Sequence, residues 1–285
     1  MKLTNKQNLP EAFVRAVSRS DYNNQGTLSV TTLLRPPQIV QLEKLHVEEI
    51  EEDAADRLWM LFGSANHYVL EKTRTDGDLI EERLFLEVDG HRISGQLDRL
   101  TQEGVLVDFK FTSVWAAIDM NKNGTKKDWE AQLNMLAALI RENKLPQGMN
   151  PEPKALRLMI ACRDWRESES KRMEDYPPKV FTIEVDMWPH EKAMEFIRER
   201  IKVHTQPYIP CTDEERWTKP GVFAVMAGKK KAERLLQTKA EAEEWVKVNQ
   251  LEKFEIVERP TTYTRCEGYC PVAKFCTQFT KGKAK

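Results

Sequence analysis

The chain has 285 residues, of which 31% are charged and 40% hydrophobic, with 44 basic against 45 acidic side chains for a net charge of −1. Such a composition belongs to soluble globular proteins and excludes a uniformly basic nucleic-acid binder, leaving only local basic patches for that role. No apolar run approaches the ~18 residues of a membrane span, and the N-terminal MKLTNKQNLPEAF lacks a signal peptide's apolar segment, so a cytoplasmic protein is expected.

Residues 1–28 are polar and mixed, and are expected to be loosely held. In SVTTLLRPPQIVQLEKLH, Pro36 and Pro37 suit a turn and the first position of a helix reaching about His46. A second helix is expected from about Asp53 to Lys72, with Leu58, Phe62, Ala65 and Val69 at helical spacing. Strands RLFLEV and HRIS follow, joined by Asp89-Gly90, a strong signal for a two-residue hairpin turn. That turn pairs Val88 with His91 and Leu86 with Ile93.

The stretch ISGQLDRLTQEGVLVDFKF reads as two strands about Gln102-Glu103-Gly104. A three-residue loop needs a left-handed residue in its last place, which Gly104 supplies without strain. In that register Thr101 pairs with Val105, and Asp98 lies opposite Asp108. A two-residue loop would slip the register and put the carboxylates on opposite faces. The three-residue register gathers Leu84, Leu86, Val88, Ile93, Leu97, Val105, Val107, Phe109 and Phe111 on one face, broken by His91 and Arg99 and expected to be the core. Asp98, Asp108 and Lys110 share the other face with Glu87, Ser94 and Gln96.

DWEAQLNMLAALIREN reads as an amphipathic helix with Trp129, Leu133, Leu136 and Leu139 inward. ALRLMIAC and KVFTIEVDMW read as strands, and PHEKAMEFIRERIKVHTQ as a long helix starting at Pro189. From about Gly221 to Arg259 a strand, a basic turn, a helix and a strand are expected. The turn carries Lys229, Lys230 and Lys231, which could meet a DNA backbone through charge. It is not a phosphate-binding P-loop, because Lys230 stands where that motif needs Ser or Thr.

Opposed carboxylates repel each other, more so where a sheet is covered. A divalent cation removes the penalty, and Mg²⁺ binds through one or two carboxylates plus waters and phosphates. Lys110, two residues after Asp108, points the same way and could orient a water or offset developing charge. The competing reading of these residues is a wet sheet face whose Asp–Lys pairs contribute little. Glu87 has the right face for a ligand, but cross-strand pairing with Arg92 explains it equally well.

Gly95-x-x-Asp98 followed by Asp108-Phe109-Lys110 on the next strand resembles the PD-(D/E)XK nucleases, in which D-x-K is a permitted variant. Two more pieces resemble the RecB-like branch, which includes the CRISPR adaptation nuclease and the nuclease domain of AddB. GSANHYVLEK sets His67 four residues after Gly63, like the branch's helix-borne metal-ligating histidine. Gln132 resembles its motif glutamine, although Leu136 stands where the branch has tyrosine. The resemblance implies an α/β, restriction-endonuclease-like αβββαβ core over residues 29–210, with a mixed central sheet flanked by helices. It implies a basic α+β insert at 211–262 and a cysteine-rich tail at 263–285 packing back on the core. It further implies that His67, Asp98, Asp108 and the Phe109 carbonyl hold Mg²⁺ or Mn²⁺, and that Asp98, Asp108, Lys110 and Gln132 serve catalysis.

Of five cysteines, Cys266, Cys270 and Cys276 form C-x3-C-x5-C rather than the C-x2-C of a zinc ribbon. In a reducing compartment such a cluster points to metal before disulfide. Cys162 alternates with Leu156, Leu158 and Ile160 and reads as core. Cys211, in a polar loop, suits a fourth ligand. The RecB-like branch often ties back its C-terminus with a [4Fe-4S] cluster, which the resemblance implies for Cys211, Cys266, Cys270 and Cys276. Zn²⁺ is the alternative, and the branch's distant cysteine lies before the catalytic motifs, where this chain has none. The implied function is a metal-dependent DNA exonuclease acting on linear duplex or single-stranded ends in recombination or repair, with a recombination or single-strand-binding protein as partner. The alternative is a catalytically silent DNA-binding or assembly subunit with an iron–sulfur or zinc structural site.

Overall fold

The computed structural model describes residues 1–18, 28–73, 75–145, 152–228 and 230–280. They fall into two units, Met1–Val40 with Glu51–Pro207, and Gln41–Ile50 with Tyr208–Lys285. The chain begins with β1 (Lys2–Thr4) and α1 (Glu11–Ser18), then β2 (Leu28–Ser29), α2 (Val30–Leu34) and α3 (Pro37–Leu45). Of the N-terminal segment expected to be loosely held, residues 19–27 lie outside the described residues, while β1 pairs in parallel with β3 (Glu51–Asp53). Thr4 Oγ1 and the Lys6 N–H both donate to the Asp53 carboxylate at 2.8 Å. A 3-10 turn leads into α4 (Leu58–Glu71).

Seven strands and three helices build the central part: β4 (Leu79–Ile80), β5 (Arg83–Val88), β6 (His91–Gln96), β7 (Arg99–Leu100), β8 (Val105–Thr112), α5 (Val114–Asn123), α6 (Lys127–Glu142), β9 (Ala155–Cys162) and, after the short α7 (Glu167–Ser170), β10 (Val180–Val185). Helix α8 (His190–Thr205) closes the unit. A five-stranded sheet has the order β10-β9-β8-β7-β4, and a three-stranded sheet the order β2-β6-β5. The larger sheet is mixed, since β8 and β9 run parallel while its other pairs are antiparallel. A helix, hairpin strands, a second helix and a further strand follow in the αβββαβ order, with helices flanking the sheet.

The hairpin registers are those the turns dictate. Val88 pairs with His91. Arg99 pairs with Val107, which sets Asp98 opposite Asp108. The Thr101 N–H bonds the Val105 carbonyl across a three-residue loop, and Gly104 closes it at φ +92°. The expected single strand from Ile93 to Leu100 is divided, however. After Gln96 the chain leaves the three-stranded sheet, and at Arg99 it joins the five-stranded one.

The expected core face of β8 is also corrected. Leu106 and Asp108 are the buried residues, while Val105, Val107, Phe109 and Phe111 are only half-buried. The reason is α6, which lies across the Leu106 side and buries Leu133, Leu136 and Leu139 there with Leu156, Leu158 and Ile160. Helix α6 is buried on more sides than an amphipathic helix, because α2 and α8 also pack on it. Its buried Asn134 is satisfied by carbonyls of Glu130 and Asp186 and by the Trp188 N–H. Helix α4 buries none of its residues, contrary to its apolar spacing.

In the second unit, α9 (Asp213–Arg216) and β11 (Thr218–Lys219) precede β12 (Val222–Met226), β13 (Arg234–Leu236), α10 (Lys239–Val248) and β14 (Glu255–Arg259). Strands order as β13-β12-β14, and α10 covers one face with Ala242, Val246 and Trp245. The strand β13 was not expected from the sequence. The chain then passes β15 (Thr262–Tyr263), which pairs with β11, then α11 (Thr264–Gly268), a 3-10 turn and α12 (Thr277–Thr280). Within this unit His46 stacks on Phe275 at 3.9 Å, and Lys274 Nζ donates to the Glu49 carbonyl.

Candidate metal centre and its surroundings

Asp98 sits where β6 gives way to β7, so its backbone is not committed to either ladder. Its Oδ2 accepts the Phe109 N–H at 2.7 Å, taking a place that a longer β7 would fill. Its Oδ1 lies 3.5 Å from His67 Nδ1 on α4. Glu81 completes the group, with Oε1 also 3.5 Å from His67 Nδ1. One ligand atom from each of His67, Glu81 and Asp98 lies within 4.8 Å of the other two.

Glu81 was not anticipated as a site residue. The predicted Asp89-Gly90 register already contained it: continuing that pairing outward sets Glu81 opposite Asp98. In the structure the Glu81 N–H bonds the Asp98 carbonyl at 3.1 Å and the Leu97 N–H bonds Glu82. Glu81 holds φ at +51°, an uncommon conformation for a residue with a Cβ. Gln96 Nε2 fixes its Oε2 at 2.7 Å, and Arg83 in turn holds Gln96. Backbone strain with a dedicated side-chain clasp is frequent at functional sites.

Asp108 is turned to the other side of the strand's surroundings. Its Oδ2 lies 2.7 Å from Lys110 Nζ, and that ammonium donates to Gln132 Oε1 of α6 at 2.8 Å. Asp108 is 2% exposed, so the ion pair is buried. Trp129 flanks the ammonium 5.6 Å from its ring centre. The two carboxylates are thus opposed in register but engage different helices, Asp98 reaching α4 and Asp108 reaching α6 through Lys110. Phe109 enters the site by its N–H. Glu87 is paired with Arg92 at 3.9 Å, in line with its structural explanation.

The electrostatics are unfavourable without a cation. Burial, then the neighbouring Asp108 charge, push the Asp98 carboxyl up to about 7, against the opposing pull of His67 and the Phe109 N–H. The Glu81 carboxylate beside His67 raises the imidazole above its usual range, against the effect of burial. Desolvated carboxylates this close together favour either a shared proton or a bound cation.

Gly95 of the G-x-x-D motif has a packing reason. A Cβ there would lie 2.6 Å from Leu136 Cδ2, 3.0 Å from Leu139 Cδ2 and 3.1 Å from Val30 Cγ2. Leu136, standing in place of the expected aromatic, fills the space above this glycine.

In the second unit the four cysteines lie within one another's field. Burial pushes the Cys211 thiol up to about 12, with Glu215 and the other three cysteines adding to the effect. Cys270 is raised chiefly by burial, with Cys266 and Cys276 contributing. Gln278 of α12 clasps the Cys211 backbone through its N–H and carbonyl. Among the described residues no three cysteine sulfurs lie within 4.8 Å of one another. Cys162 is half-buried against the core of the first unit. Lys230 and Lys231 are exposed in the β12–β13 turn, and Lys229 lies outside the described residues.

No protein-family model matches the chain, and no curated protein matches its sequence. Among solved structures the chain is similar to the crystal structure of SSO0001, with a TM-score of 0.46 and 16% identity over 74% of this chain and 91% of that one. It is also similar to an alkaline exonuclease (LHK-Exo) from Laribacter hongkongensis, with a TM-score of 0.36 and 14% identity over 68% and 94% of the two chains. No helix among the described residues is long and apolar enough to cross a membrane.

Proposed function

We propose that this chain is a metal-dependent DNA nuclease of the PD-(D/E)XK type with RecB-like motif order, acting as an exonuclease on DNA ends in recombination or repair. The observation that carries the reading is the Asp98 carboxyl, pushed up to about 7 by burial and Asp108 while Glu81 and His67 crowd the same point. Desolvated, mutually perturbed carboxylates of this kind cluster at functional sites.

The donor set fits Mg²⁺ or Mn²⁺, since carboxylate oxygens dominate it and one imidazole joins them. Asp98, Glu81 and His67 would hold the ion, with Asp108 free to join once Lys110 turns to substrate. Such an ion supplies Lewis-acid stabilisation of phosphoryl charge and a more acidic water. The chain's own residues do the rest. The Phe109 N–H fixes the Asp98 carboxylate, and Gln96 fixes that of Glu81. Lys110, held between Asp108 and Gln132, presents an ammonium beside the carboxylates, where it orients the attacking water and offsets charge on the phosphate.

Cys211, Cys266, Cys270 and Cys276 are assigned to a [4Fe-4S] cluster with a structural role. The electrostatic effect of Cys266, Cys270 and Cys276 on Cys211 supports a shared centre. Lys230 and Lys231 are assigned to contact with the phosphate backbone.

The test is degradation of end-labelled linear DNA with Mg²⁺ or Mn²⁺, comparing free with blocked ends. Wild-type protein should cleave from free ends only, and Asp108→Ala and Lys110→Ala should not cleave. Absence of cleavage on duplex, nicked and single-stranded DNA would overturn the enzyme reading, and cleavage by Asp108→Ala would overturn the residue assignment.

A further inference from the structure

Helix α4 carries His67 into the metal group, yet its own apolar stripe is uncovered: Trp59 is 52% and Phe62 51% exposed. These two rings form one wall of a groove of about 400 Å³ that also takes in Phe111 and Trp165. Phe111 connects it to the metal group, its ring lying 5.9 Å from that of His67. Gly63, one helical turn before His67, opens onto the same groove, and a Cβ there would meet nothing within 4 Å.

The charged side chains that line the groove, Arg163 and Lys179, are both cations. The Arg163 guanidinium lies over the Trp59 ring at 4.3 Å, and Lys179 Nζ over the Trp165 ring at 4.4 Å. Neither cation is paired with a carboxylate among the described residues. Trp165 is a fixed platform, since its Nε1–H donates to the Pro177 carbonyl at 2.9 Å and its ring meets Tyr176 edge-on.

We infer that this groove is a stacking subsite for unpaired nucleotides of a single DNA strand leading to the metal group. The occupant must offer flat apolar faces to the rings and negative charge to Arg163 and Lys179. Unpaired nucleobases on a phosphodiester backbone offer both, whereas a duplex keeps its base faces stacked inside. The inference rests on the nuclease reading for its biological meaning and names that enzyme's substrate as single-stranded ends.

Binding in EDTA separates the subsite from the chemistry. The intact protein is titrated with oligodeoxythymidylate and with a blunt duplex of equal length, following tryptophan fluorescence and anisotropy of the labelled DNA. The wild type should bind the single strand more tightly, with quenching. Trp59→Ala combined with Phe62→Ala should weaken that binding roughly 10- to 100-fold, as loss of one or more stacked bases requires. Gly63→Leu puts a side chain into the groove from a position where an added Cβ meets nothing within 4 Å, and should weaken it likewise, with the unfolding temperature unchanged or raised; this variant decides the matter if the double variant fails to fold. Unchanged single-strand affinity in Gly63→Leu, or tighter binding of wild type to the blunt duplex, overturns the subsite. A change in oligomeric state in place of DNA affinity also overturns it, making the groove a contact between copies. Cleavage that keeps its strand preference in these variants removes the subsite and leaves the nuclease standing. Groove-dependent binding with no Mg²⁺- or Mn²⁺-dependent cleavage does the reverse.

Discussion

Gly95→Ala perturbs the point where the motif meets the core. The new methyl would lie 2.6 Å from Leu136 Cδ2 and 3.0 Å from Leu139 Cδ2, and neither leucine can swing into solvent because both are at most 2% exposed. Forcing one methyl into a packed core costs about 1–3 kcal/mol. Replacing a glycine returns about 0.5–1 kcal/mol through the unfolded chain. The expected net change therefore runs from near zero to a loss of about 2.5 kcal/mol. Urea denaturation of the metal-free protein measures it as a lowered midpoint at unchanged slope. Leu136→Ala alone should cost about 2–5 kcal/mol. Combined, the two changes should cost less than their sum by about 1–3 kcal/mol, since the methyl of one occupies space vacated by the other. Strict additivity, or a Gly95→Ala protein more stable than wild type by about 0.5 kcal/mol or more, would refute the close-packing explanation of this glycine.

Three further outcomes are expected. A carboxyl raised from 3.8 to about 7 binds its proton more tightly in the folded state. Its stabilising contribution is therefore full below the unfolded value and is lost as pH climbs through the folded one. In EDTA, Asp98→Asn should accordingly unfold at nearly the wild-type temperature at acid pH and above it at pH ~8, while losing the stabilisation that Mn²⁺ gives the wild type; a variant less stable than wild type at the alkaline end contradicts the burial argument. Lys110→Ala leaves the buried Asp108 charge without its partner and should destabilise by about 3 kcal/mol, with Asp108→Asn in the same chain recovering most of that loss in chemical denaturation. Cys276→Ser, at the most buried of the four cysteines proposed as cluster ligands, should lower iron and acid-labile sulfide in anaerobically purified protein, and stoichiometric zinc with no iron in the wild type would contradict the proposed cluster.

Much of the site was legible because turn chemistry is local. Gly104 accepts a positive φ that few residues tolerate, so the loop length, and with it the opposition of Asp98 and Asp108, follows from a few neighbouring residues. Glu81 was legible in principle, since the Asp89-Gly90 register extends to it. Its strained backbone and its clasp by Gln96 were not, because both depend on the chain leaving one sheet for another between Gln96 and Arg99.

The face of β8 that is buried could not be read from VLVDFKF. Apolar residues occur on both sides of that strand, and α6 decides between them by packing where Asp108 and Lys110 also point. The same limit applies to α4. Its apolar spacing predicts a helix correctly, but whether a stripe becomes core or groove depends on what lies opposite it in space. The sequence by itself determined turns, strand register and the identity of the charged residues, all set by short-range sterics. Tertiary structure alone decided which charges were desolvated together and which aromatic rings were left bare, because burial is a property of distant segments brought into contact.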